Sequence, residues 1–148
     1  MDTKTLHKHS FCGRVEFCEC DPLGIVWHGN YLRYMDAARG DMLDAMGFGY
    51  LRMADEGFAL PVVTTNLKFI KPLRLYDRFT VEVSLLEFEH RLKCAFEIKR
   101  GDEVCLKAES VQVHVKKGSE SLEFFMPASF VETLSKYLAE LGSSDEED

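Results

Sequence analysis

The order of periodic segments along the chain predicts an α+β fold, in which an antiparallel sheet packs against one long helix. A first strand is predicted at about His9–Cys18, where apolar residues recur at every second position. A helix pattern follows over Tyr31–Met46, and four strand patterns then follow without an intervening helix. Such a sheet leaves an edge and a flank uncovered, so we expect a homodimer or homotetramer.

Local signals set the expected limits of these elements. Gly47 is expected to end the first helix, and the connector 47–57 is expected either to cover a pocket or to pack at a subunit contact. The four strands are predicted at about 58–71, 79–85, 91–99 and 104–115. In the last strand the apolar residues change parity near Glu109–Ser110, and we expect a β-bulge there to keep both sets facing the core.

The C-terminal region is predicted to form a short strand, a helix and a tail. The strand is expected over Leu122–Met126, and the helix begins near Pro127 and ends at Gly142. The acidic residues 143–148 cannot bury apolar surface and are predicted to be disordered. The chain is thus expected to hold one domain, 1–142, followed by this tail.

Composition excludes several classes of function. The net charge of −7 argues against general nucleic-acid binding. No apolar run approaches the ~20 residues that span a bilayer, and no signal peptide is evident, so we expect a cytoplasmic protein without membrane contact. The five cysteines suit a reducing compartment. Cys18-x-Cys20 with His7-x-His9 lacks the spacing of a zinc site, so no metal or redox cofactor is expected.

The segment that joins the first strand to the helix carries most of the chemically informative residues. Asp21-Pro22 favours a turn, and Gly24 can adopt a positive φ. The apolar residues 25–27 should fold back onto the protein. Gly29-Asn30 offers a capping residue before a first helical turn whose N–H groups lack intrahelical partners.

This arrangement is suited to attack on a carbonyl group. Asp21 would act as base or nucleophile, and N–H groups at the helix start would stabilise the oxyanion. Each residue also has an ordinary interpretation. Asp21 can simply form the turn. His28 can act through its side chain, or it can supply only its backbone N–H.

The run Asp21–Tyr31, together with Arg33–Arg39 and Thr65–Asp77, resembles the signature of the hotdog-fold acyl-CoA thioesterases of the 4-hydroxybenzoyl-CoA thioesterase type. The resemblance covers roughly residues 10 to 130. It implies a curved sheet of five or six strands around one long helix, with active sites at a dimer interface. It also implies hydrolysis of a coenzyme A thioester, with Asp21 catalytic and the N–H of His28 polarising the thioester carbonyl.

Substrate contacts follow from the resemblance and from residue chemistry. Trp27 can stack on a flat acyl group, and Gly29, Asn30 and Tyr31 adjoin it. Further candidates are Thr64 and Thr65, offered by the partner subunit, and His90, Arg91 and Lys93 for the phosphates of coenzyme A. The acyl group can be aromatic, such as hydroxybenzoyl, or short-to-medium aliphatic. The alternative is a non-hydrolytic protein that binds acyl-CoA or an acyl carrier.

Overall fold

A computed structural model describes residues 4–147 of the chain, and the side chains of residues 4–142. The helices are α1 (Asn30–Ala45), α2 (Tyr50–Asp55) and α3 (Ala128–Glu147), and a single 3-10 turn spans Phe17–Glu19. The strands are β1 (His7–Arg14), β2 (Phe58–Ala59), β3 (Val62–Phe69), β4 (Arg78–Glu87), β5 (Leu92–Arg100), β6 (Glu103–Gln112), β7 (His114–Lys116) and β8 (Leu122–Glu123).

Five of the strands form one antiparallel sheet in the order β1-β4-β5-β6-β3, and β2, β7 and β8 form a smaller sheet. Alternate residues of β4 and β5 are buried, as a half-covered sheet requires. The core lies between these strands and the apolar face of α1, which contributes Met35, Ala38 and Met42. The predicted α+β fold is therefore confirmed.

The last long strand does not have the bulge that its apolar pattern predicted at Glu109–Ser110. Beyond Leu106, the buried residues of this segment are Ser110, Gln112 and His114, which all have the same parity. The irregularity in the pairing of β5 with β6 falls instead between Ile98 and Lys99. Ser110, Gln112 and His114 each have a hydrogen-bond partner there, which lowers the cost of burying them, although Gln112 Oε1 has no partner among the described residues.

The connector and the C-terminal helix complete the fold, and the end of that helix differs from expectation. The connector 47–57 contains the short helix α2, which follows Gly47 at its positive φ of 91°. Helix α3 continues past Gly142 to Glu147, so the predicted helix end is wrong. Asp148 lies outside the described residues, and the division into a domain of residues 1–142 and a disordered tail stays a prediction.

Strand β3 lies at one edge of the main sheet, where it pairs only with β6 among the described strands. Nearly all of its side chains are exposed, including the apolar Val62, Val63 and Phe69. A long exposed edge with apolar side chains is a surface that proteins normally cover. The site described below lies along this strand and the helix α1.

Candidate active site

The segment between β1 and α1 folds into a compact loop. The Asp21 N–H donates to the Ile25 carbonyl at 2.8 Å, and the Gly24 N–H donates to the Asp21 carbonyl at 3.0 Å. Gly24 has the expected positive φ, 78°. The Val26 N–H donates to the Leu73 carbonyl at 2.9 Å, which fixes the loop to the segment before β4. Val26 is buried and Ile25 is half-buried, as predicted, but Trp27 remains exposed, so the prediction is wrong for that residue.

Of the predicted pair Gly29-Asn30, it is the glycine that takes the N-cap position, and the Asn30 side chain does not cap the helix. The Asn30 amide Nδ2 instead donates to the Glu19 carbonyl at 2.8 Å, while the Trp27 N–H donates to the same oxygen at 3.0 Å. Asn30 is buried, so its observed role is to hold the loop and the helix start together.

Two backbone donors remain unpaired at the start of α1. The N–H groups of Asn30 and Tyr31 point back to the carbonyls of Trp27 and His28, at 2.9 and 3.4 Å. Within residues 4–147, no hydrogen bond involves the N–H of His28 or of Gly29. Adjacent free N–H groups at a helix N-terminus favour a negatively charged oxygen.

A cleft of about 320 Å³ is lined by His28, the first of these two residues, and we call it the helix-start cleft. Its walls include Ile25, His28, Tyr31, Phe69 and Lys71. The Tyr31 hydroxyl accepts a hydrogen bond from the Leu73 N–H at 3.1 Å, and its ring packs against Phe69. Burial raises the pKa of Tyr31, so the phenol stays protonated at neutral pH. The cleft therefore offers an apolar surface next to oxyanion donors.

Asp21 is half-buried and lines a different cleft, of about 480 Å³, together with Phe17, Cys18 and Leu75. Its Oδ1 accepts a hydrogen bond from the Leu23 N–H at 2.8 Å, which is the turn-forming role of an aspartate. The single subunit therefore places Asp21 and His28 on one loop without placing them in one cleft.

Trp27 lies directly over Gly29. A Cβ added to Gly29 would come within 2.1 Å of the Trp27 ring, so any larger residue would force the ring to move. The indole is 52% exposed and is tilted against the His28 imidazole, with ring centroids 5.0 Å apart. Trp27 thus forms an exposed aromatic surface beside the backbone of His28 and Gly29.

Thr64 and Thr65 are exposed on the edge strand β3. Thr65 lines a second cleft between α1 and β3, of about 230 Å³, which we call the Arg39 cleft. Its other walls are Leu32, Met35, Asp36, Arg39, Val62 and Ser110. Thr64 lines neither the helix-start cleft nor the Arg39 cleft.

The predicted phosphate-binding residues lie far from the helix start in the same subunit. The loop is joined to the Arg78 end of β4, because the Val15 N–H donates to the Asp77 carbonyl. His90 and Arg91 follow the opposite end of β4, about 30 Å away for a strand of ten residues. His90 and Arg91 face Glu87, and Lys93 pairs with Glu109 at 3.0 Å.

Sequence reasoning missed Arg39 and Ser110. Arg39 was interpreted only as part of a family motif, yet its guanidinium is buried and donates to Ser110 Oγ at 3.2 Å. A signal was available, because Ser110 interrupts an apolar strand and Arg39 adjoins the apolar stripe of α1. Among the described residues, no group of three or more His, Cys, Asp or Glu could hold a metal.

Known proteins share both the sequence pattern and the fold. The family described as the thioesterase-like superfamily matches residues 15–134. The 4-hydroxybenzoyl-CoA thioesterase of Pseudomonas sp. strain CBS-3 is 30% identical over 132 residues, which cover 82% of this chain and 94% of that protein.

Solved structures agree with this result. A hypothetical protein from Aquifex aeolicus superposes with a TM-score of 0.78 and 32% identity, covering 84% of this chain and 98% of its own. A mutant 4-hydroxybenzoyl CoA thioesterase complexed with 4-hydroxybenzoyl CoA superposes with a TM-score of 0.76 and 26% identity, covering 86% of this chain and 98% of its own.

Proposed function

The chain belongs to the thioesterase-like superfamily and is an acyl-CoA thioesterase, and we propose that Asp21 and the N–H groups of His28 and Gly29 carry out the hydrolysis. The observation that carries this proposal is the pair of unpaired N–H groups beside the apolar helix-start cleft. Donors fixed in this position stabilise an oxyanion without having to reorganise during the reaction.

In this mechanism the thioester carbonyl oxygen accepts hydrogen bonds from the N–H groups of His28 and Gly29. Asp21 then either attacks the carbonyl carbon to give a mixed anhydride, or removes a proton from the water that attacks it. The thiolate of coenzyme A leaves in both routes, and in the first route water then cleaves the anhydride at the aspartyl carbon, which releases the free acid and restores the Asp21 carboxylate. Heavy oxygen from labelled water appearing in the Asp21 carboxylate after one turnover would assign the anhydride route.

A second copy of the chain would complete the site. The exposed edge of β3 supports association, and it would bring Thr64 and Thr65 of one copy toward the helix start of the other. The distance between His90 and His28 within one subunit is consistent with phosphate contacts from a second copy. The protein would then act as a homodimer or homotetramer.

We place the enzyme in the cytoplasm, where a thioesterase meets acyl-CoA. Cys12, Cys18, Cys20, Cys94 and Cys105 are all free thiols, which fits a reducing compartment. None of the described helices is long and apolar enough to cross a bilayer. The acyl group is proposed to be aromatic, of the hydroxybenzoyl type, or short-to-medium aliphatic.

Release of free thiol from a panel of aromatic, short and long acyl-CoA compounds tests the proposal. Asp21→Asn is expected to lower kcat by about 10³-fold or more, because it removes the base or nucleophile. The variant keeps an oxygen that can accept the Leu23 N–H, so the turn should survive. Asp102→Asn, in the exposed turn between β5 and β6, is the matched control and should leave kcat unchanged.

Two results would contradict the proposal. Thiol release that Asp21→Asn does not reduce would remove Asp21 from the mechanism. No release from any compound, combined with measurable binding, would favour the alternative of a non-hydrolytic acyl-CoA-binding protein.

A further inference from the structure

A buried guanidinium forms one end of the Arg39 cleft. The Arg39 side chain is only 4% exposed. Its Nε donates to the Tyr50 hydroxyl at 3.0 Å, Nη1 donates to Ser110 Oγ at 3.2 Å, and Nη2 donates to Asp36 Oδ1 at 2.5 Å. A guanidinium has five N–H donors, so two remain without a hydrogen bond to the described residues.

Unused donors on a buried cation are costly unless another group pairs with them. The one carboxylate bonded to Arg39 belongs to Asp36, whose side chain is 65% exposed and therefore remains largely solvated. An ordinary buried ion pair would use the fork of the guanidinium more fully. Arg39 lines this cleft, so a ligand oxygen bound there would lie close to the guanidinium.

The Arg39 cleft follows the helix-start cleft along the seam between α1 and β3. The helix-start cleft is lined by Tyr31 of α1 and Phe69 of β3. The Arg39 cleft is lined by Leu32 of α1 and Thr65 of β3. Since the guanidinium bonds to Asp36, it lies at the level of residue 36, about 10 Å along the helix axis from Gly29. That spacing leaves room for a benzoyl ring or a six-carbon chain between the carbonyl and Arg39.

The neighbours of Arg39 support a selective role. Ser110 faces inward at a strand position that an apolar residue would fill more simply, and its hydroxyl orients Nη1. Tyr50 of α2 orients Nε from the other side. Two neutral hydroxyls hold Nε and Nη1, and among the described residues only the largely solvated carboxylate of Asp36 bonds to the guanidinium, so its charge is paired at one nitrogen only.

We propose that Arg39 contacts the far end of the acyl group and selects acyl chains that carry an oxygen acceptor there. This proposal rests on the proposed function. Arg39 is then a specificity-determining residue that takes no part in breaking the thioester bond. The acceptor oxygen receives the two N–H donors that the protein leaves unused.

Binding measurements test this role independently of turnover. The chain has a single tryptophan, Trp27, and its half-exposed ring lies over Gly29, so its fluorescence reports occupation of the site. Asp21→Asn serves as the background that prevents hydrolysis during titration. The probes are benzoyl-CoA and hexanoyl-CoA, each compared with its form bearing a hydroxyl or carboxyl group at the far end of the acyl group.

We expect Kd to be about 10-fold or more lower for an oxygen-bearing form than for its unsubstituted partner, because hydrogen bonds to a charged donor contribute that much. Arg39→Lys keeps the charge and loses the planar fork, and it should remove most of this preference. Arg33→Lys is the matched control, since Arg33 is exposed on the same helix and lines neither cleft. It should leave the preference intact.

Equal Kd values within each pair for the Asp21→Asn protein would overturn the proposal, and this result needs no variant of Arg39. A preference that survives in a folded Arg39→Lys protein would overturn it too. Absence of thiol release from wild-type protein would instead count against the proposed hydrolysis, because the ratios of Kd do not depend on turnover. Circular dichroism and the melting temperature of each variant verify that it is folded.

Discussion

The central strands β4 and β5 differ from the loop between β1 and α1 in how fully their hydrogen-bonding groups and apolar side chains are satisfied within the chain. In β4 and β5, side chains alternate between core and surface, and the pairing continues along nearly the whole length of both strands. In the loop, the N–H groups of His28 and Gly29 lack partners within the described chain, and Trp27 and Leu23 are exposed. The strands satisfy their own groups, whereas the loop leaves donors and apolar surface for a ligand.

This difference shows where stability and chemistry are located in the molecule. In the scaffold, the hydrophobic pattern of the sequence is expected to match the burial of side chains in the fold. Exceptions to this match are expected at functional sites. Substitutions in the two regions should therefore separate into those that lower the free energy of unfolding and those that lower the rate of thiol release.

The largest expected effect is on stability, in the central strands. Leu85 is fully buried between α1 and the sheet, so Leu85→Ala should lower the free energy of unfolding by about 3 kcal/mol through lost burial and a residual cavity. Chemical denaturation measures this change. The matched control is Leu51→Ala, because Leu51 is exposed on α2, and it should change stability by less than about 0.5 kcal/mol.

The separation between a stabilising sheet and a catalytic loop would be contradicted if Leu85→Ala lowered kcat in the protein that remains folded. Leu85 pairs with His7 and Cys94 and lines none of the clefts beside Asp21, His28 or Arg39. We therefore expect kcat per folded molecule to stay within about twofold of wild type.

The scaffold could be predicted from sequence because its periodicities are local. Alternation located β4 and β5, and the helical stripe located α1 to within one residue at each end. The inward polar residues of β6 could not be predicted in this way, since Ser110 and Gln112 face the core only because Arg39 and the Leu60 carbonyl meet them there. Those partners are distant in sequence, and an apolar pattern does not reveal them.

The candidate site was predictable in part for the same reason. The resemblance and the turn residues identified Asp21, His28 and the helix start, which are close in sequence. Asp21 and His28 line different clefts because Leu75 packs beside one and residues 69–72 beside the other. His90 and Arg91 are remote because they follow the far end of β4 in the sheet. Strand order is set by long-range packing, and no spacing of residues in the sequence encodes it directly.

A smaller effect is expected at Gly29. Its φ of −66° and ψ of −24° suit any residue, so Gly29→Ala adds no backbone strain and only forces the Trp27 ring to move. We expect kcat/KM for thiol release to fall by about 10- to 100-fold, as small displacements in an oriented site do, with a shift in Trp27 fluorescence.

A double-mutant cycle separates this clash from a general disturbance of the loop. In a Trp27→Ala background the ring is absent, so adding Gly29→Ala should change kcat/KM by less than about threefold. If Gly29→Ala is equally harmful with and without the indole, the ring does not explain why glycine occupies this position.

The smallest effect is expected for His28→Ala. This substitution removes the imidazole and keeps the backbone N–H, so it shows which of the two the loop contributes to catalysis. The N–H of residue 28 remains in the alanine variant, so kcat for thiol release should fall by less than about fivefold, far less than in Asp21→Asn. A fall of 100-fold or more in a folded variant would instead assign the imidazole a direct part in catalysis. The loop would then contribute two reactive side chains, and its exposed donors would be only part of the reason that the sequence departs here from the regular pattern of the strands.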